Sequence, residues 1–151
     1  MNELQDLYRE VILDHNRRPR NFGELEDPDR IVEGVNPLCG DRMTLYVKLD
    51  GDTVQDIRFK GTGCAISVAS SSLMTEKVKG ASLQETLELF EKVHDMLTAA
   101  DYDDSADLED LDKLAALSGV REYPSRVKCA SLSWHALKSA LTSVDDKIST
   151  E

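Results

Sequence analysis

Apolar side chains with helical spacing occur at the start of the chain and through most of its second half. At the start they recur at i, i+3, i+4, i+7 and i+8, as Leu4, Leu7, Tyr8, Val11 and Ile12. This stripe predicts a helix that ends near residue 16. Similar spacing, a capping box at residues 82–85, and glycine and proline punctuation predict four further helices. The first of these covers residues 65–79, and the second begins at residue 82. The third covers residues 108–117 before Gly119, and the fourth begins at residue 124.

Alternation of apolar and polar side chains predicts the sheet. Residues 43–49 alternate strictly, which is the period of a half-buried strand. The Asp-Gly-Asp sequence of residues 50–52 predicts a hairpin turn, and a return strand follows it. Within that strand Val54 and Ile57 differ in parity, so a β-bulge or a late strand start is expected there. The short apolar stretch of residues 31–35 predicts one more strand.

The order of these elements indicates the fold class. Because the strands precede most of the helices, the chain is predicted to be an α+β protein in which a small antiparallel sheet of about three strands is covered by helices. Its 151 residues fit one domain, residues 1–151, and 40% of them are apolar, which is enough to build a core.

The charge balance narrows the classes of partner. The 29 acidic and 18 basic residues give a net charge of −11, which argues against nucleic acid and anionic membranes, because both bind basic surfaces. The N-terminus has no basic segment followed by an apolar core, and no apolar stretch is long enough to cross a bilayer. A cytoplasmic location is therefore expected, and there the three cysteines stay reduced.

The densest candidate chemistry lies in residues 36–41, Asn-Pro-Leu-Cys-Gly-Asp. Pro37 fixes its own φ, and Gly40 permits backbone angles that other residues resist. On such a turn, Cys39 and Asp41 can direct a sulfur and an oxygen at one point. Thiolate and carboxylate groups are both metal ligands, so this turn is a candidate part of a metal site.

The other two cysteines lie in surroundings that favour the thiolate form. Cys64 follows Gly-Thr-Gly at a predicted helix start, where free N–H groups and the helix dipole stabilise an anion. Cys129 follows the cations Arg126 and Lys128. From these residues alone, two interpretations are open. The three cysteines either share a metal site with Asp41, or they are separate buried thiols that act as small apolar side chains.

A family resemblance bears on this choice. Four groups of residues carry it, in the same order as in the family: residues 12–23, residues 36–41, residues 61–72 and residues 126–130. Together they resemble the IscU/SufU/NifU-N family of iron–sulfur cluster assembly proteins, and the resemblance extends over nearly the whole chain. It implies an IscU-like version of the α+β fold predicted above.

Two features of the second half distinguish the branches of this family. The scaffold branch has a histidine immediately before the last cysteine, where this chain has Lys128. The stretch around residues 101–123 resembles the insertion of the other branch, and so does Arg126. The chain is therefore similar to the SufU-type branch, the zinc-dependent sulfurtransferases.

The resemblance implies a set of site residues. Cys39, Asp41, Cys64 and Cys129 correspond to the zinc ligands, and Cys39 corresponds to the sulfur acceptor. Arg126 is expected to act with Cys39 in catalysis, because four anionic ligands around Zn²⁺ leave a net negative charge that a cation can balance. Further cations with a supporting role are expected next to the ligands: Arg42 and Lys128.

The resemblance also implies a partner and a reaction. The partner is a SufS-type cysteine desulfurase that carries pyridoxal phosphate, and a downstream iron–sulfur scaffold receives the sulfur. A histidine of the desulfurase binds the zinc and frees Cys39, whose thiolate attacks the sulfane sulfur of the partner's persulfide. Two alternatives are a scaffold that binds iron or an iron–sulfur cluster on the same ligands, and a zinc-stabilised adaptor that activates the desulfurase. His15, His94 and His135 are expected to pack away from the metal.

Overall fold

The computed structural model describes residues 3–37, 40–99, 112–142 and 147–149. Its helices are α1 (Glu3–Arg17), α2 (Ala65–Val78), α3 (Leu83–Thr98) and α4 (Pro124–Thr142), with a 3₁₀ segment at Asp112–Glu122. Its strands are β1 (Arg30–Asn36), β2 (Asp41–Asp50), β3 (Thr53–Thr62) and β4 (Lys147–Ser149). In the described part of the chain, no helix has both the length and the apolar character needed to cross a membrane.

The strands form one sheet in the order β3-β2-β1-β4. β2 is antiparallel to both β3 and β1, and Asn36 pairs with Asp41 at the end of the β1–β2 ladder. At the opposite end, Gly51 closes the β2–β3 hairpin with a φ of 59°, a left-handed conformation that glycine adopts without strain. The α+β prediction with a three-stranded antiparallel sheet is confirmed. β4 pairs in parallel with β1, and its short polar sequence carried no strand signal.

A bulge shifts the register of the hairpin. Lys48 pairs with Asp56 and Leu49 pairs with Val54, so Gln55 is the extra residue on β3. Since side chains alternate between the two faces of a strand, one extra residue restores both ends of β3 to the same face. Val54 and Ile57 are accordingly both fully buried. The bulge expected from their difference in parity is confirmed.

The helices cover one face of the sheet, and α2 packs closely against α4. The Ser70 hydroxyl donates to the carbonyl oxygen of Ala130 at 2.6 Å and accepts from Trp134 Nε1 at 3.2 Å. Trp134 is 2% exposed, so its ring is in the core while its N–H group has a partner. This contact fixes the relative positions of the two helices that carry Cys64 and Cys129.

The predicted short helix over residues 108–117 differs from the structure. A 3₁₀ segment continues to Glu122 and passes through Gly119. Leu114, Leu117 and Val120 are all buried and are three residues apart, the spacing that a 3₁₀ helix places on one face. Gly119 has no atom near its missing side chain and does not end the segment. Residues 100–111, which include nearly half of the predicted insertion, lie outside the described residues.

His15 joins α1 to α2 through a buried hydrogen bond. Its side chain is 1% exposed, and Nδ1 lies 2.7 Å from the Ser72 hydroxyl oxygen. The Ser72 oxygen also accepts from the backbone N–H of Arg20 at 2.8 Å. Burial lowers the pKa of His15, and the positive charge of Arg20 lowers it further, against the attraction of the Glu76 and Asp14 carboxylates.

The lowered pKa of His15 predicts that the stability of the protein depends on pH. Because the folded state keeps the His15 pKa below its ordinary value of 6.5, the unfolded chain binds the proton first as the pH falls. The free energy of unfolding should therefore decrease below about pH 6.5. Urea unfolding at pH 7.5 and at pH 5.5 measures the decrease. In His15→Asn, whose amide oxygen can take the place of Nδ1, the decrease should be smaller. Equal decreases in the two proteins would contradict the prediction.

Candidate metal centre

The β1–β2 connection carries the first part of the site. Asn36 and Asp41 pair across the two strands, so residues 37–40 form the connection between them. Gly40 has a φ of 72°. This is a left-handed conformation of the kind that a glycine was expected to permit at this turn. Cys39, the predicted sulfur acceptor, lies outside the described residues.

Three of the four predicted ligands converge. One oxygen of Asp41 and the sulfurs of Cys64 and Cys129 all lie within 4.8 Å of one another. Asp41 is the first residue of β2, Cys64 immediately precedes α2, and Cys129 lies in the second turn of α4. Asp41 and Cys129 are 0% and 1% exposed, whereas Cys64 is partly exposed. The site therefore lies between one end of the sheet and two helices, and it opens on the Cys64 side.

Asp41 is held by more than its position in the strand. Its Oδ1 accepts a hydrogen bond from the Cys64 backbone N–H at 2.9 Å. Cys64 is the N-cap of α2, and its own side chain makes no capping hydrogen bond. The Asp41 carboxylate, which belongs to β2, therefore caps the N-terminus of α2. Both a free N–H group and the helix dipole favour an anion at this helix end.

Gly63 provides the space for this carboxylate. A Cβ atom on residue 63 would lie 2.5 Å from Asp41 Oδ1 and 3.0 Å from Asp41 Cγ. The sequence predicted the Gly-Thr-Gly stretch only as a helix start. Its second role depends on a contact between residues 41 and 63 that no local pattern encodes.

The converging groups fit a zinc ion. Two thiols and a carboxylate are donors that zinc accepts in tetrahedral sites, with Zn–S bonds of about 2.3 Å and Zn–O bonds of about 2.0–2.2 Å. The donor atoms lie within 4.8 Å of one another, and tetrahedral bonds of these lengths would bring them to separations of about 3.4–3.8 Å. The same soft sulfur donors also suit iron–sulfur clusters. The donor set therefore indicates a thiolate-binding metal without distinguishing zinc from iron.

The cations near the site are exposed or half-buried. Arg126 is exposed in the first turn of α4, three residues before Cys129, and Lys128 is partly buried. Arg42 is exposed next to Asp41. None of these three side chains forms a salt bridge with another described residue. The catalytic role of Arg126 stays a prediction.

The side chains of His94 and His135 contact each other and the ring of Phe90. His94 stacks on Phe90 with ring centroids 5.8 Å apart, and His135 meets both rings edge-on at 5.6 and 6.0 Å. Burial lowers the pKa of His135, and the neighbouring His94 lowers it further. Among the described histidine, cysteine and acidic residues, only Asp41, Cys64 and Cys129 form a group that could hold a metal.

Asn36 is a residue of the site that was not predicted. It is fully buried, and its Nδ2 lies 3.4 Å from Asp41 Oδ2 and 3.6 Å from Cys129 Sγ. In the sequence it was visible only as the first residue of the turn at residues 36–41. Its contact with Cys129 spans 93 positions, so no local signal could have indicated it.

Comparisons with known proteins agree with this geometry. Residues 7–130 match the family described as the NifU-like N terminal domain. The zinc-dependent sulfurtransferase SufU of Bacillus subtilis is 48% identical over 138 residues, which cover 91% of each chain. The iron–sulfur cluster assembly scaffold protein IscU of Streptococcus pyogenes is 40% identical over 93% of this chain and 86% of its own.

Solved structures share the fold. A crystal structure described as an iron–sulfur cluster assembly scaffold protein for the SUF system, from Fervidobacterium islandicum, superimposes with a TM-score of 0.81 at 37% identity, over 88% of this chain and 95% of its own. The N-terminal part of a NifU-like protein from Brucella abortus gives 0.76 at 26% identity, over 93% and 95%. With a family match over most of its length and relatives aligned over about nine-tenths of it, the chain belongs to the NifU-like N-terminal domain family of iron–sulfur cluster assembly proteins.

Proposed function

We propose that this protein is a zinc-dependent sulfurtransferase that accepts sulfur on Cys39 and passes it to iron–sulfur cluster assembly. The observation that carries the proposal is the convergence of Asp41, Cys64 and Cys129 within 4.8 Å. A relative with 48% identity is itself named a zinc-dependent sulfurtransferase. In this proposal Cys39, two residues before Asp41 in the sequence, supplies the fourth ligand and completes a tetrahedral shell.

The sulfur transfer is a thiol exchange. The Cys39 thiolate attacks the outer sulfur of a cysteine persulfide, the sulfur–sulfur bond of the donor breaks, and the donor cysteine leaves as a thiolate. The new persulfide is on Cys39, and the exchange has no net oxidation or reduction. Bound zinc keeps the cysteines deprotonated and close together. Cys64 and Cys129 are held by helices, whereas Cys39 belongs to a connection between strands, which favours Cys39 as the sulfur that reacts.

The persulfide donor in this proposal is a SufS-type cysteine desulfurase, which carries the pyridoxal phosphate. A separate iron–sulfur scaffold is the recipient. The exposed cation Arg42 directly follows Asp41, and the exposed cation Arg126 precedes Cys129 by three residues. We assign Arg126 to the transfer reaction, because a cation beside the site stabilises the anionic sulfur that attacks and the one that leaves.

An iron–sulfur scaffold is the second candidate. Relatives named as IscU scaffold proteins are 40% and 38% identical, and thiolate ligands bind either metal. Metal analysis of protein purified anaerobically with both metals supplied separates the two. A sulfurtransferase should contain about one zinc per chain and be colourless, whereas a brown protein with stoichiometric iron and sulfide would identify a scaffold.

Replacing the acceptor tests the transfer itself. Cys39→Ser should receive no sulfur during turnover with a desulfurase and free cysteine, because a serine hydroxyl is not deprotonated at neutral pH and cannot form a persulfide. Mass spectrometry of tryptic peptides should locate one added sulfur on Cys39 in the natural protein and none in the variant. Omission of the desulfurase is the control.

Two results would reject this assignment. Added sulfur on Cys64 or Cys129 in the natural protein would place the acceptor elsewhere. If Cys39→Ser stimulates the desulfurase as strongly as the natural protein does, the protein is an adaptor that activates its partner.

A further inference from the structure

Asn36 connects two of the proposed ligands. Its side chain is fully buried at the end of β1, and its Nδ2 lies 3.4 Å from Asp41 Oδ2 and 3.6 Å from Cys129 Sγ. Both neighbours are hydrogen-bond acceptors in their charged forms, and the NH₂ group has two hydrogens. Each hydrogen can therefore serve one ligand, one from the sheet and one from α4.

The other end of the same amide has no such partner. Asn36 Oδ1 is buried and makes no hydrogen bond with a described residue. A buried acceptor without a partner is destabilising, and an aliphatic side chain of similar size would avoid that cost. The amide is thus a poor choice for packing alone. The favourable contacts that offset its cost are the two N–H groups directed at Asp41 and Cys129.

We infer that Asn36 is a positioning residue of the metal centre, which orients Asp41 and Cys129 and makes the Cys129 sulfur a weaker nucleophile than the sulfur of Cys64. The inference rests on the proposed function, because it requires these residues to be ligands. An N–H group that donates to a thiolate withdraws electron density from the sulfur. The sulfur of Cys64, in contrast, is partly exposed and has no hydrogen bond to a described residue.

The consequence is that the cysteines have different roles, because one reacts with sulfur while Cys129 stays a ligand. In a site with three thiolates, sulfur is transferred to a single cysteine when one thiolate reacts and the other two stay bound to the metal. Asn36 provides this distinction for Cys129, whose sulfur is buried and receives a donor. Cys39 is separated from Asn36 by only two residues, so the same short segment carries both the reacting sulfur and the group that restrains another one.

Cobalt binding tests the positioning role without any partner protein. Asn36→Leu removes the donor at similar size, and the apparent affinity for Co²⁺ and Zn²⁺ should fall about 10- to 100-fold, the usual effect of removing a group that orients a ligand. The sulfur-to-cobalt charge-transfer band should move to lower energy, because a thiolate without its hydrogen bond gives up electrons more readily. A change in packing alone would not move this band.

A second variant guards against misfolding. Asn36→Ser keeps a hydroxyl donor at smaller volume and should fall between Asn36→Leu and the natural protein in both affinity and band position. Ser71→Ala is the matched control, since Ser71 is buried and, among the described residues, its hydroxyl bonds only the Ser67 carbonyl of its own helix. Circular dichroism compares the folding of all three variants with that of the natural protein.

Alkylation tests the effect on reactivity. With zinc-loaded protein and a limiting amount of iodoacetamide, peptide mass spectrometry gives the rate at each cysteine. In Asn36→Leu, the alkylation of Cys129 relative to Cys64 should increase several-fold. Unchanged affinity, band position and alkylation ratio in both Asn36 variants would overturn the inference. If the natural protein binds neither cobalt nor zinc, the proposed function fails first, so the two failures are distinguishable.

Discussion

Asp41→Ala is expected to lower zinc affinity about a hundredfold. Structural zinc sites contribute about 10–16 kcal/mol through four ligands, so one ligand accounts for about 3 kcal/mol, which is about two orders of magnitude in affinity. The variant should also be less stable without metal, because the carboxylate that accepts from the Cys64 N–H at 2.9 Å is lost. The loss of such a cap costs about 1 kcal/mol. Competition with a zinc chelator measures the first effect, and urea unfolding of the metal-free protein measures the second.

Asp41→Asn separates the two contributions. The asparagine keeps an oxygen that can accept from the Cys64 N–H but lacks the charge. We expect its metal-free stability to stay close to that of the natural protein while its zinc affinity falls. If Asp41→Ala binds zinc as tightly as the natural protein, Asp41 is not a ligand, and the oxygen in the cluster serves only as a helix cap.

Gly61→Ala should have the largest effect on folding. A Cβ atom at residue 61 would lie 2.1 Å from the Arg42 carbonyl oxygen and 2.7 Å from Met43 Cα. Both are backbone atoms of β2, which is paired with β3 at this position, so neither can move without breaking the ladder. We expect a decrease of about 3 kcal/mol or more in the free energy of unfolding, measured by urea titration.

Gly119→Ala is the matched control for this substitution. It adds the same methyl group where no atom lies within 4 Å, and its stability should change by no more than about 0.5 kcal/mol. A Gly61→Ala protein as stable as Gly119→Ala would mean that the strands can separate at Met43, and that the sheet end next to Asp41 is less rigid than the pairing indicates.

Much of this fold could be predicted because its signals are local. The period of two in residues 43–49, the glycine in the hairpin turn and the capping box before α3 each depend on neighbouring residues. The structure has the capping box as predicted, with Ser82 and Glu85 each bonding the other's backbone. β4 could not be predicted, because it is held by main-chain pairing with β1, and its three residues are too few to establish an alternating pattern. The segment before Gly119 was predicted as a short helix that ends there, because glycine often ends helices, whereas the 3₁₀ turns continue through Gly119 to Glu122.

The residues of the candidate site also fall into those with a local sequence signal and those without one. The convergence of Asp41, Cys64 and Cys129 could be predicted from their settings and from the resemblance to a family, and the part of Cys39 stays a prediction. Asn36 and Gly63 could not be found, because their roles are contacts with residues that are distant in sequence. The Asn36 amide meets Cys129 across 93 positions, and Gly63 leaves room for the carboxylate of Asp41. Residues that bind a metal are often visible in the sequence, whereas the residues that hold those ligands become visible only in the fold.

Segments of the same chain pair with parts of β1 and β3, the outer strands of the antiparallel sheet. β4 lies along residues 33–35 of β1. On the other side, Gly23 N–H donates to the Phe59 carbonyl at 2.8 Å, and Phe59 N–H donates to the Asn21 carbonyl at 3.0 Å. Open strand edges recruit other chains by main-chain pairing, and here those positions are already taken. At those positions a visiting protein cannot add a strand and must recognise side chains instead.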